Sequence, residues 1–560
     1  MFSPMNLESP RTARRVTVLL AATVVLLVLS PVLNLLAGVL RDPGDLIGVL
    51  QRAETWRMIG RSVALAVTVA LGAMTLGTIL AWVLVRARLP AFARGVLLIL
   101  LVAPLAMPSY VIAFGLIAAT GHEGLFGGLW PEFLRPTRQP AISSWIILVS
   151  CTYPYTMLAV RAALMKECTT LEEAALGLGA GRITAFAAII LPRLRPSIVW
   201  GGMLSGLYTL ADFGAVSLVG FESITWGIYH RYTTAFGFAD ARALCIVLIV
   251  LSGLMILGLM RLRTVPDRAS SAVPVPPAPI RFGPWSILLA ALALLPVVIG
   301  VAVPLLAALG WLARTWTGTP QAGTQIGTQT AGEVLLAAGP AAGTTFMLAA
   351  AAAVLVPILV LPLVSLHVGA SAAGRWARWL TPLTLLGFAL PGLIVAIALA
   401  GLALRVDHAL EWALRLPVDA RLYQSHLVLL LSYAILFLPE AAGPLRAAAQ
   451  RIHHEQIDAA EQFGGSALFR WSRITMPQLV PAFAAGSMLV FITTAKELPA
   501  TLLLAPLNVE TLGTRLWSAM EEVYFTVAAA AAIWLLGLVV LGVAVILIVE
   551  RLSDSGRPES

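Results

Sequence analysis

The sequence predicts an all-α polytopic membrane protein, with about twelve transmembrane helices arranged as two parallel six-helix repeats. Three observations predict it. The 560 residues are 59% hydrophobic and 12% charged, with a mean hydropathy of +0.90, whereas a soluble domain carries about 25% charged residues. Apolar runs recur along the chain at the length a bilayer demands, about 20 residues each. Residues in the first half recur in the second at an offset of about 285. The composition excludes a soluble globular enzyme, a disordered tail and a fibrous protein. Strands of a β-barrel would alternate apolar and polar residues over about 10 positions, and the long apolar runs exclude that pattern.

The first element is an apolar stretch from Val16 to Leu40, preceded by Arg11, Arg14 and Arg15. It is too long for the apolar core of a signal peptide, and no small-x-small cleavage site follows. It is therefore read as the first membrane helix, entered from the cytoplasm. Windows near 62–85, 95–119, 141–164, 195–219 and 241–262 complete one set of six. A second set lies near 285–313, 341–366, 380–404, 426–448, 480–505 and 524–550. The halves are thus 1–263 and 283–552. A proline-rich linker covers 264–282, and a tail covers 553–560.

Arginines set the sidedness. Arg86, Arg88 and Arg94 fall in one short loop, and Arg375 and Arg378 in the corresponding loop of the second half. Arg261, Arg263, Arg268 and Arg281 flank the linker. Basic loops stay in the cytoplasm, which puts both termini inside and makes the number of spans even. The formal charge of +9 has the same origin. No basic stripe with interleaved aromatics points to nucleic acid.

Pro154, Arg161, Gly179, Pro192, Pro196, Gly201 and Thr209 recur as Pro439, Arg446, Gly464, Pro477, Pro481, Gly486 and Thr494. The acid Asp212 is matched by Glu497. Six spans separate equivalent points, so the repeats share one orientation. Cys151, Cys168 and Cys245 show neither Cys-x-x-Cys nor disulfide spacing, and the pair His453–His454 lacks further ligands at metal spacing. No disulfide and no structural metal are expected.

The stretch after the fourth helix of each half carries the most information. The first reads Glu173-Ala174-Ala175-Leu-Gly-Leu-Gly179, nine residues, then Ile189-Ile-Leu-Pro192. The second reads Asp458-Ala459-Ala460-Glu-Gln-Phe-Gly464, nine residues, then Ile474-Thr-Met-Pro477. Thr170-Leu-Glu-Glu173 is a capping box that starts a short helix. The second copy has Glu455 in place of Thr170 and lacks that box. Paired alanines offer a low-relief face, the glycines stop the helix, and Pro192 and Pro196 suit the first turn of the next span. Short helices over about 168–181 and 453–466 are expected on the cytoplasmic face, held by membrane helices at both ends. An amphipathic loop helix packed on its own protein would explain one such copy, but not two at matched spacing.

The pattern Glu-Ala-Ala, three residues, Gly, nine residues, Ile-x-Leu-Pro resembles the signature of permease subunits of binding-protein-dependent ABC importers. The resemblance covers nearly the whole chain, twice. It implies the type I importer permease fold, residence in the bacterial inner membrane, and one fused chain per complex. The implied partners are a periplasmic or extracellular binding protein and two cytoplasmic ATPase subunits, onto which the short helices dock. ATP and Mg would be held by those ATPases, since Gly-x-x-x-x-Gly-Lys-Ser/Thr does not occur here. Asp458 and Met476 depart from the signature, where Glu and Leu are usual.

Residues 211–229 and the run Lys496-Glu-Leu-Pro-Ala-Thr501 are similar to the ferric-iron branch of that family, in which two permease halves are commonly fused. Fused permeases for thiamine and phosphonate are near relatives and stay open as alternatives. Asp212 and Glu497, at equivalent outer ends of the fifth helices, are candidates for lining the path, with Thr493 and Thr494. Ionisable groups at membrane depth are functional candidates by default, although an acid at a helix end also caps or pairs locally. Tyr208 and Tyr229 fit interfacial aromatics better than ligands, and His122 with Glu123 fits a solvated pair better than a metal site. Acids at Glu222, Asp240, Glu510, Glu521 and Glu522 fit a docking face or a solvated surface. A secondary transporter would need several acids or histidines deep in the bundle, and few are seen. An intramembrane enzyme would need His-Glu-x-x-His, Gly-x-Ser-x-Gly or a similar set, and none occurs.

Overall fold

The computed structural model describes residues 10–122, 124–128, 131–166, 175–179, 181–234, 237–262, 285–315, 330–366, 387, 390–414 and 422–555. Among these residues every element is helical and no strand occurs. Ten of the described helices are each long and apolar enough to cross a membrane, and a bent pair makes an eleventh candidate. The remaining expected span is the fifth helix of the first half. It carries Arg193 and Arg195 near its start, among prolines, which lowers its mean hydropathy.

The first half comprises α1 (Pro10–Arg41), α2 (Pro43–Gln51), α3 (Ala53–Arg86), α4 (Ala91–Ala106), α5 (Ser109–Thr120), α6 (Pro140–Lys166), α7 (Leu191–Ala211), α8 (Gly214–Leu218), α9 (Ile224–Thr233) and α10 (Phe238–Leu262). The second comprises α11 (Trp285–Val297), α12 (Val303–Arg314), α13 (Gly339–Ser365), α14 (Gly392–Leu414), α15 (His426–Ala449), α16 (His454–Gln462), α17 (Met476–Ala495), α18 (Pro499–Leu504), α19 (Leu512–Glu521) and α20 (Phe525–Ser555). The expected linker 264–282 lies outside the described residues, as do Glu173 and Ala174.

Among the described residues three expected spans are broken, and the window 380–404 meets α14, which starts only at Gly392. The window 95–119 is α4 and α5, which meet at 93°. Pro108 holds Met107 extended at φ −76°, ψ 132°, because a residue before proline is driven out of the helical region. The windows at 195–219 and 480–505 each end in a short helix, α8 or α18, after a break at Asp212 or Lys496. Hydropathy is blind to such bends because both arms are equally apolar.

Two compact units form, and they do not follow the sequence halves. One joins Met1–Pro43 to Gly332–Ser518 and Ala531–Ser560; the other joins Gly44–Ala331 to Ala519–Ala530. The first helix of each half is therefore exchanged. In one unit α1 packs on α13 and α14, where Asn34 Nδ2 donates to the Ala398 carbonyl at 2.7 Å. In the other, α11 and α12 pack on α4, α5 and α6. Trp311 Nε1 donates to the Ala118 carbonyl at 2.9 Å, and the Arg314 guanidinium lies 4.7 Å from the Trp311 ring centre. Gly115 is required there, since a Cβ at that position would lie 2.4 Å from Pro304 Cα.

Glycines also bring the fourth and fifth helices together within each unit. A Cβ on Gly201 would lie 2.4 Å from Thr156 Cα, and one on the equivalent Gly486 would lie 3.3 Å from Ala441 Cα. Small residues at such crossings let apolar helices associate where lipid offers no hydrophobic gain.

Candidate functional site

The second short helix is fully described. Helix α16 ends as Phe463 N–H donates to Ala459, Gly464 N–H to Glu461 and Gly465 N–H to Ala460. Gly464 takes φ +78°, which a side chain resists, so this is a Schellman stop that glycine makes inexpensive. Its N-cap, His453, makes no side-chain cap, in keeping with the missing capping box. In the first copy, residues 175–179 are described. Gly179 takes φ +89° and its N–H donates to Leu176, the counterpart of the Gly464–Glu461 bond.

Leu178 and Phe463 precede these glycines at equivalent places, and they are 90% and 91% exposed. Asp458 and Ala459 are exposed, and Ala175 and Ala460 are half-buried. Arg470 pairs with Glu461 at 2.8 Å, and Gln478 Nε2 donates to Gln456 Oε1 at 3.1 Å. These contacts tie α16 to the start of the fifth helix, where Pro477, like Pro192 in the first half, occupies the first turn.

At the other end of the fifth helices stand Asp212 and Glu497. Asp212 is 8% exposed. Its Oδ2 accepts from the amides of Ala215 at 3.1 Å and Val216 at 3.4 Å, and its Oδ1 accepts from Ser109 Oγ at the start of α5. One carboxylate thus joins the breaks of the third and fifth helices. Glu497 Oε1 accepts from the Ala500 amide at 3.1 Å. It also lies against the start of α14, where a Cβ on Gly392 would come within 2.5 Å of it. Both acids therefore serve the backbone of the short helix that follows them.

Thr493 leads to an acid that sequence reasoning missed. Its Oγ1 donates to Glu440 Oε2 at 2.7 Å, and Lys496 and Glu497 lie within electrostatic range of Glu440. Glu440, Thr493, Lys496 and Glu497 are all half-buried. Tyr155 and Tyr208 occupy the positions equivalent to Glu440 and Thr493, and their rings are 6.4 Å apart. The neighbouring Thr494 is buried, and its Oγ1 has no partner among the described residues.

Other sequence candidates are taken up locally. His122 Nδ1 lies 2.9 Å from Arg135, and Glu123 is outside the described residues. Arg61 pairs with Glu222, Arg52 with Asp240 and Arg515 with Glu510, so these loop acids are neutralised. Among the described residues no group of three His, Cys, Asp or Glu side chains could hold a metal ion. Cys151 and Cys245 are buried thiols, and Cys151 Sγ donates to the Leu148 carbonyl at 3.4 Å. Cys168 is outside the described residues.

Comparison with known proteins agrees with a duplicated transport component. Residues 73–269 and 363–553 each match the family described as the binding-protein-dependent transport system inner membrane component. An Fe(3+)-transport system permease protein, FbpB 2, of Haemophilus influenzae is 26% identical over 495 residues, 87% of this chain and 88% of its own. The molybdenum transport system permease protein ModB of Escherichia coli K12 is 29% identical over 209 residues, 36% of this chain and 90% of its own. A sulfate transport system permease protein, CysT, of Salmonella typhimurium is 29% identical over 150 residues, 27% of this chain and 53% of its own.

Proposed function

We propose a function from one premise: this chain belongs to the family of inner membrane components of binding-protein-dependent transport systems, and carries that component twice. On that footing it is the permease of an ATP-driven importer, one fused chain per complex, with both termini in the cytoplasm. A binding protein delivers substrate on the outside. Two ATPase subunits grip the segments around residues 168–181 and 453–466, and their closure on ATP drives the switch between inward- and outward-facing states. The observation that carries the coupling is the matched pair of apolar tips, Leu178 and Phe463, each about 90% exposed just before a left-handed glycine. In the second half the tip belongs to a helix clamped to the fifth helix. Such a switch works only if the partners bind its two states with different affinity.

The cargo we assign is ferric iron. The iron permease relative spans nearly the whole fused chain, whereas the molybdenum permease relative spans the length of one repeat. Glu440 stands within the span-length helix α15 and Glu497 just beyond the end of α17, both half-buried with one nearby lysine. A charge there does not face lipid without a large penalty, so these groups border water or protein. A wall with excess negative charge suits a hard cation and repels molybdate or sulfate. The test is ATP-driven uptake by the chain reconstituted with its ATPase and loaded binding protein. Ferric ion should enter and the oxyanions should not. Molybdate, sulfate, thiamine or phosphonate uptake in its place would remove the iron assignment. Gly179→Pro combined with Gly464→Pro should abolish uptake; full uptake by that variant would remove the coupling assignment.

A further inference from the structure

Three π-turns occur among the described residues: Phe186–Ile190, Val298–Ala302 and Trp471–Thr475. Each is followed, one residue later, by a proline: Pro192, Pro304 or Pro477. The cause is chemical. Proline has no N–H to give to the carbonyl four residues back, and its ring collides with that carbonyl. One extra residue in the turn moves the carbonyl aside. The amides of Leu191, Val303 and Met476 then reach back five residues, to the carbonyls of Phe186, Val298 and Trp471.

Two of these turns, Phe186–Ile190 and Trp471–Thr475, sit at equivalent places in the two repeats. Each lies between the segment assigned above to coupling and the fifth membrane helix of its half. We propose that they are the compliant joints of the coupling levers, where displacement of the short helix becomes rotation of the fifth helix. This inference rests on the coupling reading above.

The parts on either side are stiff. Below the joint in the second half, the Arg470–Glu461 pair fixes α16 to the turn leading into the joint. Above each joint, Gly201 and Gly486 lock the fifth helix against the fourth. One exposed hydrogen bond, Gln478 to Gln456, spans the joint of the second half. In the first half the Phe186 ring is seated on Trp82, with ring centres 5.4 Å apart. Bends in long helices concentrate at prolines and π-turns, so strain from below collects here. The proline also sets a direction. It blocks the extra residue from moving into the membrane helix and leaves it free to move toward the short helix. A shift by one residue turns the intervening segment by about 100°, one residue's share of a helical turn. The third π-turn, in the segment from α11 to α12, has no short helix attached and packs on Pro104. It is a built-in control.

The experiment is amide hydrogen exchange on the wild-type permease assembled with its ATPase and binding protein in a lipid disc, without nucleotide and with ATP held. Exchange at residues 186–191 and 471–476 should differ between the states by roughly tenfold or more, while 298–303 stays constant. Unchanged exchange at both joints, or an equal change at all three turns, overturns the proposal. A second measurement uses Pro192→Ala with Pro477→Ala, which removes the cause of the π-turn and keeps the chain length. Uptake per ATP hydrolysed should fall by roughly fivefold or more through lost coupling; wild-type stoichiometry overturns the proposal. If no ATPase assembles with the wild-type chain, the coupling reading itself fails, and that is seen before any exchange is measured.

Discussion

At the level of single residues, the repeat gives equivalent positions unequal loads. Gly201 leaves only 2.4 Å between a built Cβ and Thr156 Cα, whereas Gly486 leaves 3.3 Å to Ala441 Cα. Both contacts are with backbone, which no rotamer change relieves, but only the first is closer than real Cβ atoms come. Gly201→Ala should therefore destabilise by roughly 1–3 kcal/mol, as overpacking does, and Gly486→Ala by clearly less. Thermal unfolding of the detergent-solubilised chain compares them; equal shifts would contradict the packing argument. Both glycines were legible from the sequence because each recurred at the offset of the repeat. Glu440 was not, and the reason is physical. Its counterpart is Tyr155, so a search for matched acids passes over it, and only the fold brings it to Thr493 at 2.7 Å. Asp212 and Glu497 passed that search, yet their oxygens are engaged with the backbone of α8 and α18. Glu440→Gln is isosteric and removes one negative charge. It should slow ferric uptake by at least about tenfold, the scale of one lost interaction of about 1.4 kcal/mol with a cation, while Thr493→Val, which keeps the charge, should slow it less. Equal effects of the two would assign the role to the hydrogen bond rather than to charge.

Among the elements, apolar windows marked most of the helices because a bilayer fixes their length, but the window 380–404 met a helix that runs Gly392–Leu414. They failed at the breaks. The 93° bend between α4 and α5 and the stops at Asp212 and Lys496 leave hydropathy unchanged. Pro108 marks the first break in the sequence. At the second, the signal is an acid beside a glycine-containing run, which also reads as an ordinary helix end. One link between these breaks is a hydrogen bond, from Ser109 Oγ to the buried Asp212 carboxyl. A buried bond of this kind contributes about 1 kcal/mol or more beyond its separate parts. A cycle of Ser109→Ala, Asp212→Asn and the double variant should return a coupling energy of about that size in unfolding experiments. Additive effects would mean that the third and fifth helices are not held together through this carboxyl. The short helix α16 shows the opposite balance. It runs His454–Gln462 inside the expected 453–466, and its glycine stop and missing cap follow from local chemistry at a surface helix end rather than from packing partners.

For the molecule as a whole, the duplication was readable and the exchange of first helices was not. An apolar helix facing lipid carries no address in its composition. Leu19, Leu20, Leu26, Leu33, Leu36 and Leu40 of α1 are exposed, and one polar contact that directs the helix is Asn34 on the Ala398 carbonyl. For α12 the direction comes from Trp311 and from the fit of Pro304 against Gly115. Interhelical packing and hydrogen bonds drive association inside a bilayer, and neither leaves a periodic trace in one sequence. The exchange has a consequence for folding. Each compact unit draws helices from both halves, so a half made alone lacks the helix that completes its own unit. Cutting the chain within 264–282 and producing residues 1–263 and 283–552 separately should give fragments that are degraded or aggregate. Producing them together should restore a complex that copurifies and unfolds cooperatively. A stable, monodisperse 283–552 fragment would show that α1 is dispensable to that unit, and Asn34→Leu would then leave thermal stability untouched. With the exchange intact, Asn34→Leu should lower stability by about 0.6 kcal/mol, the average strength of a side-chain hydrogen bond between membrane helices.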